Sequence, residues 1–122
     1  MTGSTRMTID LDLFDSMRME LRRGSLVLAV LARLTEERYG YTLRQALAAD
    51  GLEMEESTLY PLLRRLETQG LLHSEWREEE KRKKRFYRLS PMGVAMLAAL
   101  TTEWRGINAS LDKILPLSGE RR

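Results

Sequence analysis

Three patterns in the 122-residue sequence predict a mainly α domain of the α+β winged-helix class. Two short amphipathic stretches, 42–49 and 57–69, flank a brief connection. Two aromatic-rich stretches of alternating polarity follow, and a long amphipathic stretch then starts at Ser90-Pro91 and runs toward Pro116. A helix-turn-helix, a two-stranded β wing and a long last helix account for all three, with a further helix ahead of them.

Taken in order, residues 1–9 read as a loose arm. Asp10 or Asp12 caps a short helix with Leu11, Phe14, Met17 and Leu21 on one side, too short to stand alone and suited to packing on the body or embracing a partner subunit. After Arg22-Arg23-Gly24, Ser25 offers a new cap and Leu26–Leu34 is apolar nearly all round, so a separate buried helix is expected there. Tyr39-Gly40-Tyr41 breaks it. The helix over 42–49 places Leu43, Ala46 and Leu47 at helical spacing and stops at Asp50-Gly51. Ser57 or Thr58 caps the next, a position that keeps Pro61 near the start, where its missing N–H costs nothing. Gly70 ends that helix, with Leu71 placed for the apolar contact of a Schellman stop.

LLHSEWRE and RFYRLS form the hairpin, joined by the polar EEEKRKKR, which is long for a tight turn. In the last helix Val94, Leu97, Thr101, Trp104, Asn108, Leu111 and Leu115 follow 3-4 spacing, beside Met96, Leu100, Ile107 and Ile114. About 25 residues at 1.5 Å each make a rod of roughly 37 Å, longer than so small a domain covers from one side, which points to a second copy of the chain as its partner. The expected division is an N-terminal arm and helix (1–22), a winged helix-turn-helix (23–90), a C-terminal dimerisation helix (91–116) and a tail (117–122).

Composition narrows the function. With no cysteine and one histidine, the chain has neither a disulfide framework nor the soft ligands of a zinc site, and no metal or cofactor is expected. Leu26–Ala32, its longest apolar run, is far short of a membrane span, and MTGSTRMTIDLD does not read as a secretory signal, so a cytoplasmic protein is expected. The eight glycines are scattered and form no phosphate-cradling loop. Nothing pairs a nucleophile with a base: His73 reads as a structural strand residue, and Glu78-Glu79-Glu80 lies beside cations that satisfy it. An enzyme is not expected.

Charge placement says more than its sum. The total is +2, yet Lys81, Arg82, Lys83, Lys84, Arg85 and Arg88 put six cations between 81 and 88, which leaves the remainder net −4. Sorted by angle, the helix over 57–69 has a core side of Leu59, Leu62, Leu63 and Leu66; Ser57, Tyr60, Pro61, Arg64 and Thr68 fall around the opposite side with Arg65 on its flank, and Thr58, Tyr60, Arg64 and Arg65 are the contact residues expected of that face. In a winged helix that outer face enters the major groove, where arginine bonds guanine in pairs and hydroxyls donate to phosphates. A flexible cationic wing along the backbone would add affinity that falls with salt. In the last helix, Trp104 suits either a dimer seam or one wall of a small-molecule site, together with Met17, Met92 and Met96; Asn108 suits a register-fixing role. Two other classes fit the same residues: a winged helix used as a protein-interaction adaptor, and a ligand-binding module that does not read DNA.

The runs Leu21-Arg22-Arg23-Gly24-Ser25-Leu26 and Tyr39-Gly40-Tyr41 with Leu43, then TLYPLLRRLE at 58–67 with Gly70-Leu71-Leu72, and Trp76, Tyr87-Arg88-Leu89, Gly93 and Trp104 resemble the PadR family of bacterial transcriptional regulators over about 21–115. The resemblance implies the short subclass, with one C-terminal dimerisation helix. It also implies a homodimer on an inverted-repeat operator of double-stranded DNA, mostly repressing, often at detoxification or efflux genes. Some members release DNA when a phenolic or planar aromatic compound binds. Carried over, the DNA contacts are Tyr39, Tyr41, Ser57, Thr58, Tyr60, Arg64, Lys81, Arg82, Lys83, Lys84 and Arg85, to which the helix-face reading adds Arg65. A tryptophan at the position of Trp104 lines a drug-binding pore in one branch, so Phe14, Met17, Met96, Leu97, Leu100, Trp104, Ile107, Asn108 and Leu111 are the expected dimer and effector residues. The helix over 10–22 stands where it can fill or cover that space.

Overall fold

The computed structural model describes residues 9–116, so the arm over 1–8 and the tail over 117–122 lie outside the described residues. Its elements run α1 (Leu11–Arg33), β1 (Arg38–Tyr39), α2 (Gly40–Ala49), α3 (Glu56–Thr68), β2 (Leu72–Glu79), β3 (Arg82–Leu89) and α4 (Pro91–Ile114). The helices correspond to the expected ones with corrected bounds: a single continuous α1 replaces the two separate helices read on either side of Gly24-Ser25, and α2 begins at Gly40, inside the stretch read as a break. Asp10 caps α1, its side chain accepting from the Leu13 N–H at 3.1 Å. An interior glycine costs about 1 kcal/mol. Burying one side chain such as Leu31 returns roughly 1.5–3 kcal/mol, so packing at the C-terminal end of α1 carries the helix through Gly24. The expected division at residues 22 and 23 thus falls inside a helix.

The core lies where α1, α2 and α3 meet: Val30, Leu31 and Leu34, Leu43 and Leu47, and Leu59, Leu63 and Leu66 are buried together. Leu72 and Leu89 close it from the base of the sheet. Both helix stops are Schellman motifs: Gly51 and Gly70 have positive φ (86° and 85°), and the N–H groups of Leu52 and Leu71 reach the carbonyls of Leu47 (2.8 Å) and Leu66 (3.0 Å). The start of α3 differs from expectation. Glu55 is its N-cap, so Ser57 and Thr58 lie in the first turn and Pro61 stands inside the helix, where it leaves the Ser57 carbonyl without its usual donor.

The wing is a correction as well. No long loop joins the strands: β2 and β3 pair from Leu72↔Leu89 out to Glu79↔Arg82, and the connection is Glu80-Lys81 alone, both at positive φ (53° and 65°), as primed two-residue turns require. Cross-strand charge explains the extension, because Glu78 faces Lys83 and Glu79 faces Arg82. A two-residue strand, β1, adds to the other edge of β3 in the order β1-β3-β2; it is too short to show any pattern in the sequence. Ser90 starts α4 as expected, its Oγ accepting from the Gly93 N–H (3.0 Å) and donating to the Gly70 carbonyl (2.6 Å). Gly93 lies against the Leu71 carbonyl, so α4 leaves the body at a fixed point.

Candidate nucleic-acid interface

Alternation along the hairpin sends Ser74, Trp76, Lys83, Arg85 and Tyr87 to the sheet face that looks at α3. On α3, Tyr60, Arg64 and Glu67 share the side toward the wing. Between them, and closed at one end by Tyr39 and Tyr41 at the start of α2, lies a concavity of about 370 Å³ lined by Tyr39, Tyr41, Tyr60, Arg64, Trp76 and Lys83 among others. The Thr42 hydroxyl accepts from the Tyr39 N–H at 3.1 Å and donates to the Tyr39 carbonyl at 3.0 Å, fixing this entry to α2. Gly40 is required there, since an added Cβ would stand 2.6 Å from Tyr60 Cε1. The Tyr60 ring thus rests on the bare backbone of Gly40 under the concavity.

The charges of this region divide into two groups. Arg85 donates from Nε to Ser74 Oγ (2.9 Å) and from a terminal nitrogen to Glu67 Oε1 (3.0 Å), while Ser74 Oγ donates to Glu67 Oε2 (2.6 Å). That closed set clamps the hairpin to α3. Lys84 lies over the Tyr39 ring (4.5 Å) and near Glu79 (3.8 Å), with only 16% of its side chain exposed. On the far face of the sheet Arg77 lies over Phe86 at 3.9 Å and pairs with Glu37, whose hydrogen bond pushes the guanidinium further above its usual range. Lys83 is exposed, as are Arg64, Lys81 and Arg82. Burial pushes the Tyr87 phenol up, so beside Arg85 it stays a neutral hydroxyl at ordinary pH.

Of the residues expected to touch DNA, the fold therefore gathers Tyr39, Tyr41, Tyr60, Arg64 and Lys83 in one concavity and sets Lys81 and Arg82 at the tip beyond it. Two expectations change: Arg85 and Lys84 line the concavity, but their charges are held by Glu67 and by Glu79 and Tyr39. Ser57 stays exposed in the first turn of α3, whereas Thr58 and Arg65 turn toward α1 and line a different cleft. Sequence reading missed Glu67 and Ser74 as the clamp and Trp76 as a site residue, although Trp76 is 61% exposed on the concave face. The signal was the two-residue spacing of 74 and 76, and of 85 and 87, which becomes legible once the hairpin register is fixed.

The expected dimer residues also divide. Leu97 and Leu100 pack on the protomer's own core, whereas Phe14, Met17, Met96, Trp104, Ile107, Asn108 and Leu111 are exposed. Among the described residues no cluster of metal-ligating side chains occurs, and no helix is long and apolar enough to cross a membrane.

Comparison with known proteins agrees with this geometry. Residues 27–99 match the transcriptional regulator PadR-like family. The transcriptional regulator Rv3488 of Mycobacterium tuberculosis is 37% identical over 97 residues, 79% of this chain and 88% of that protein. A crystal structure of a PadR family transcriptional regulator from Eggerthella lenta is 42% identical, with a TM-score of 0.79 over 88% of this chain and 96% of its own. The structure of a PadR-like transcription factor from Bacteroides fragilis is 30% identical, with a TM-score of 0.70 over 82% of this chain and 99% of its own. With its winged helix and basic aromatic concavity, the chain belongs to the PadR-like family of transcriptional regulators, and is a DNA-binding regulator rather than an enzyme.

Proposed function

We propose that the protein is a cytoplasmic homodimeric repressor that binds an inverted-repeat operator, with one α3 of each protomer in successive major grooves. The observation that carries this reading is the juxtaposition of Arg64 and Tyr60 on α3 with Lys83 and Trp76 on the wing, across a concavity whose lining holds no acidic residue. Arg64 reads base edges, and Lys81, Arg82 and Lys83 follow the phosphates. The DNA-binding unit is the body built from the C-terminal part of α1 through β3, and α4 is the dimerisation helix.

Support for the dimer comes from one stripe on α4. Its first half, through Leu97 and Leu100, packs on the protomer's core; its second half, with Trp104, Ile107 and Leu111, continues past the body at 40–57% exposure. Phe14, Met17 and Leu21 leave a matching uncovered side on α1. Apolar area of this extent on a soluble chain marks an interface, and the same stripe on a second copy is its complement. A small planar aromatic or phenolic effector seated beside Trp104 between the dimer helices would change the spacing of the two α3 helices, provided it binds the two spacings with different affinity.

Light scattering on the full chain is expected to give a dimer, and Ile107→Glu with Leu111→Glu a folded monomer. Footprinting of the dimer is expected to protect two half-sites about one helical turn apart. A monomeric wild type, or protection of a single half-site, contradicts the reading.

A further inference from the structure

A cleft of about 330 Å³ lies between α1 and α3, on the side of the recognition helix turned away from the wing. The continuous α1 runs past α3 here and supplies Met19, Arg23, Leu26 and Val27 to the cleft. Its floor is apolar: Leu26 and Val27 from α1, Met54 from the α2–α3 connection and Leu62 from α3. Each wall carries one guanidinium, Arg23 on α1 and Arg65 on α3, and none of the nine lining residues is acidic. Arg65 has no carboxylate at ion-pair distance among the described residues, and Arg23 has only the exposed Glu20 at 3.4 Å.

The geometry points to a binding site for an amphiphilic organic anion, one per protomer: an apolar body on the floor and a single carboxylate or sulfonate held by Arg23 and Arg65. The volume falls in the roughly 300–1,000 Å³ range of small-molecule sites, which combine an apolar lining with a few convergent polar groups. A neutral apolar molecule would leave Arg65 without a counter-charge beside it, and a cation would be repelled by both guanidinium groups. A nucleic-acid backbone needs charge along a groove rather than an apolar floor between two isolated cations. The cleft is also separate from the seam around Trp104, which two protomers would share, so stoichiometry distinguishes the two.

The test uses two fluorescent probes with the same ring body, 8-anilinonaphthalene-1-sulfonate and the uncharged N-phenyl-1-naphthylamine, titrated into the full chain without DNA. One saturable sulfonate site per protomer is expected, with about tenfold preference over the neutral probe, as befits a charge-assisted contact. Arg23→Glu with Arg65→Glu is expected to abolish that preference while circular dichroism stays unchanged; the same charge reversal at Arg88, outside the cleft, is expected to leave it intact. Equal affinity for the two probes, a preference that survives the double reversal, the absence of saturable binding, or one site per two protomers that disappears in Trp104→Ala would each overturn the proposal. Because no DNA is present, such a failure leaves the DNA-binding reading untouched.

Discussion

Arg85 shows why a cation in a basic run need not be a contact. Its fork is held by Glu67 and Ser74, and the three side chains together join the wing to α3. With about a third of each charged side chain exposed, solvent screening reduces such a pair to roughly 1 kcal/mol. The clamp and a free electrostatic role predict opposite signs. If Glu67 acted only as a negative charge near DNA, Glu67→Gln would tighten binding; as part of the clamp, the same change loosens the wing and weakens duplex binding severalfold. Glu67→Gln and Arg85→Gln are each expected to lower unfolding stability by about 1 kcal/mol, and the double variant to cost less than their sum by roughly 0.5–1 kcal/mol. Strict additivity in urea titrations, or tighter duplex binding by Glu67→Gln, would show that the clamp does not act as described.

Two elements carry local conflicts that tertiary packing overrides, and each can be relieved. Gly24 lies inside α1 with open space around its missing Cβ, so Gly24→Ala is expected to raise stability by about 0.5–1 kcal/mol in denaturant titrations; a decrease would mean that α1 bends or ends there. At the hairpin tip Glu80 and Lys81 adopt positive φ without glycine, at a cost of roughly 1 kcal/mol or more each, and Lys81→Gly is expected to recover about 1 kcal/mol. The same two places mark where the sequence misled. Gly24-Ser25 carries the local chemistry of a helix stop and restart, but the burial of Val30 and Leu31 outweighs it. The run EEEKRKKR is polar throughout and shows no hydrophobic alternation, so its strand character rests on charge pairing across the turn, which only the register reveals. By contrast the caps at Asp10 and Ser90, the stops at Gly51 and Gly70 and the leucine spacing of α2 and α3 are local signals, and they were legible. On α3, Tyr60 and Arg64 could be read from helical angles, whereas Thr58 and Arg65, read onto the same outer side, turn toward α1. Trp76, Ser74 and Glu67 could not be read this way, because their role exists only where two elements meet.

For the molecule as a whole, a net charge of +2 conceals a polar arrangement, with exposed cations at the wing tip and on α3 and a net negative remainder elsewhere. Such a body is expected to present one face to the duplex and to bind it with strong salt dependence, and in the proposed dimer the uncovered stripe on α4 would set the distance between two such faces. The central claim is that the wing supplies phosphate affinity and Arg64 supplies reading. It is tested most directly by the salt dependence of duplex binding for the wild type, for Arg64→Ala, and for the triple variant Lys81→Gln, Arg82→Gln, Lys83→Gln, each on operator and unrelated DNA. The triple variant is expected to weaken binding to both duplexes alike and to reduce the log–log salt slope by about 0.9 for each phosphate it no longer neutralises. Arg64→Ala is expected to cost about 1–3 kcal/mol on the operator and far less on unrelated DNA. An unchanged salt slope in the triple variant, together with an unchanged operator preference in Arg64→Ala, would contradict the account.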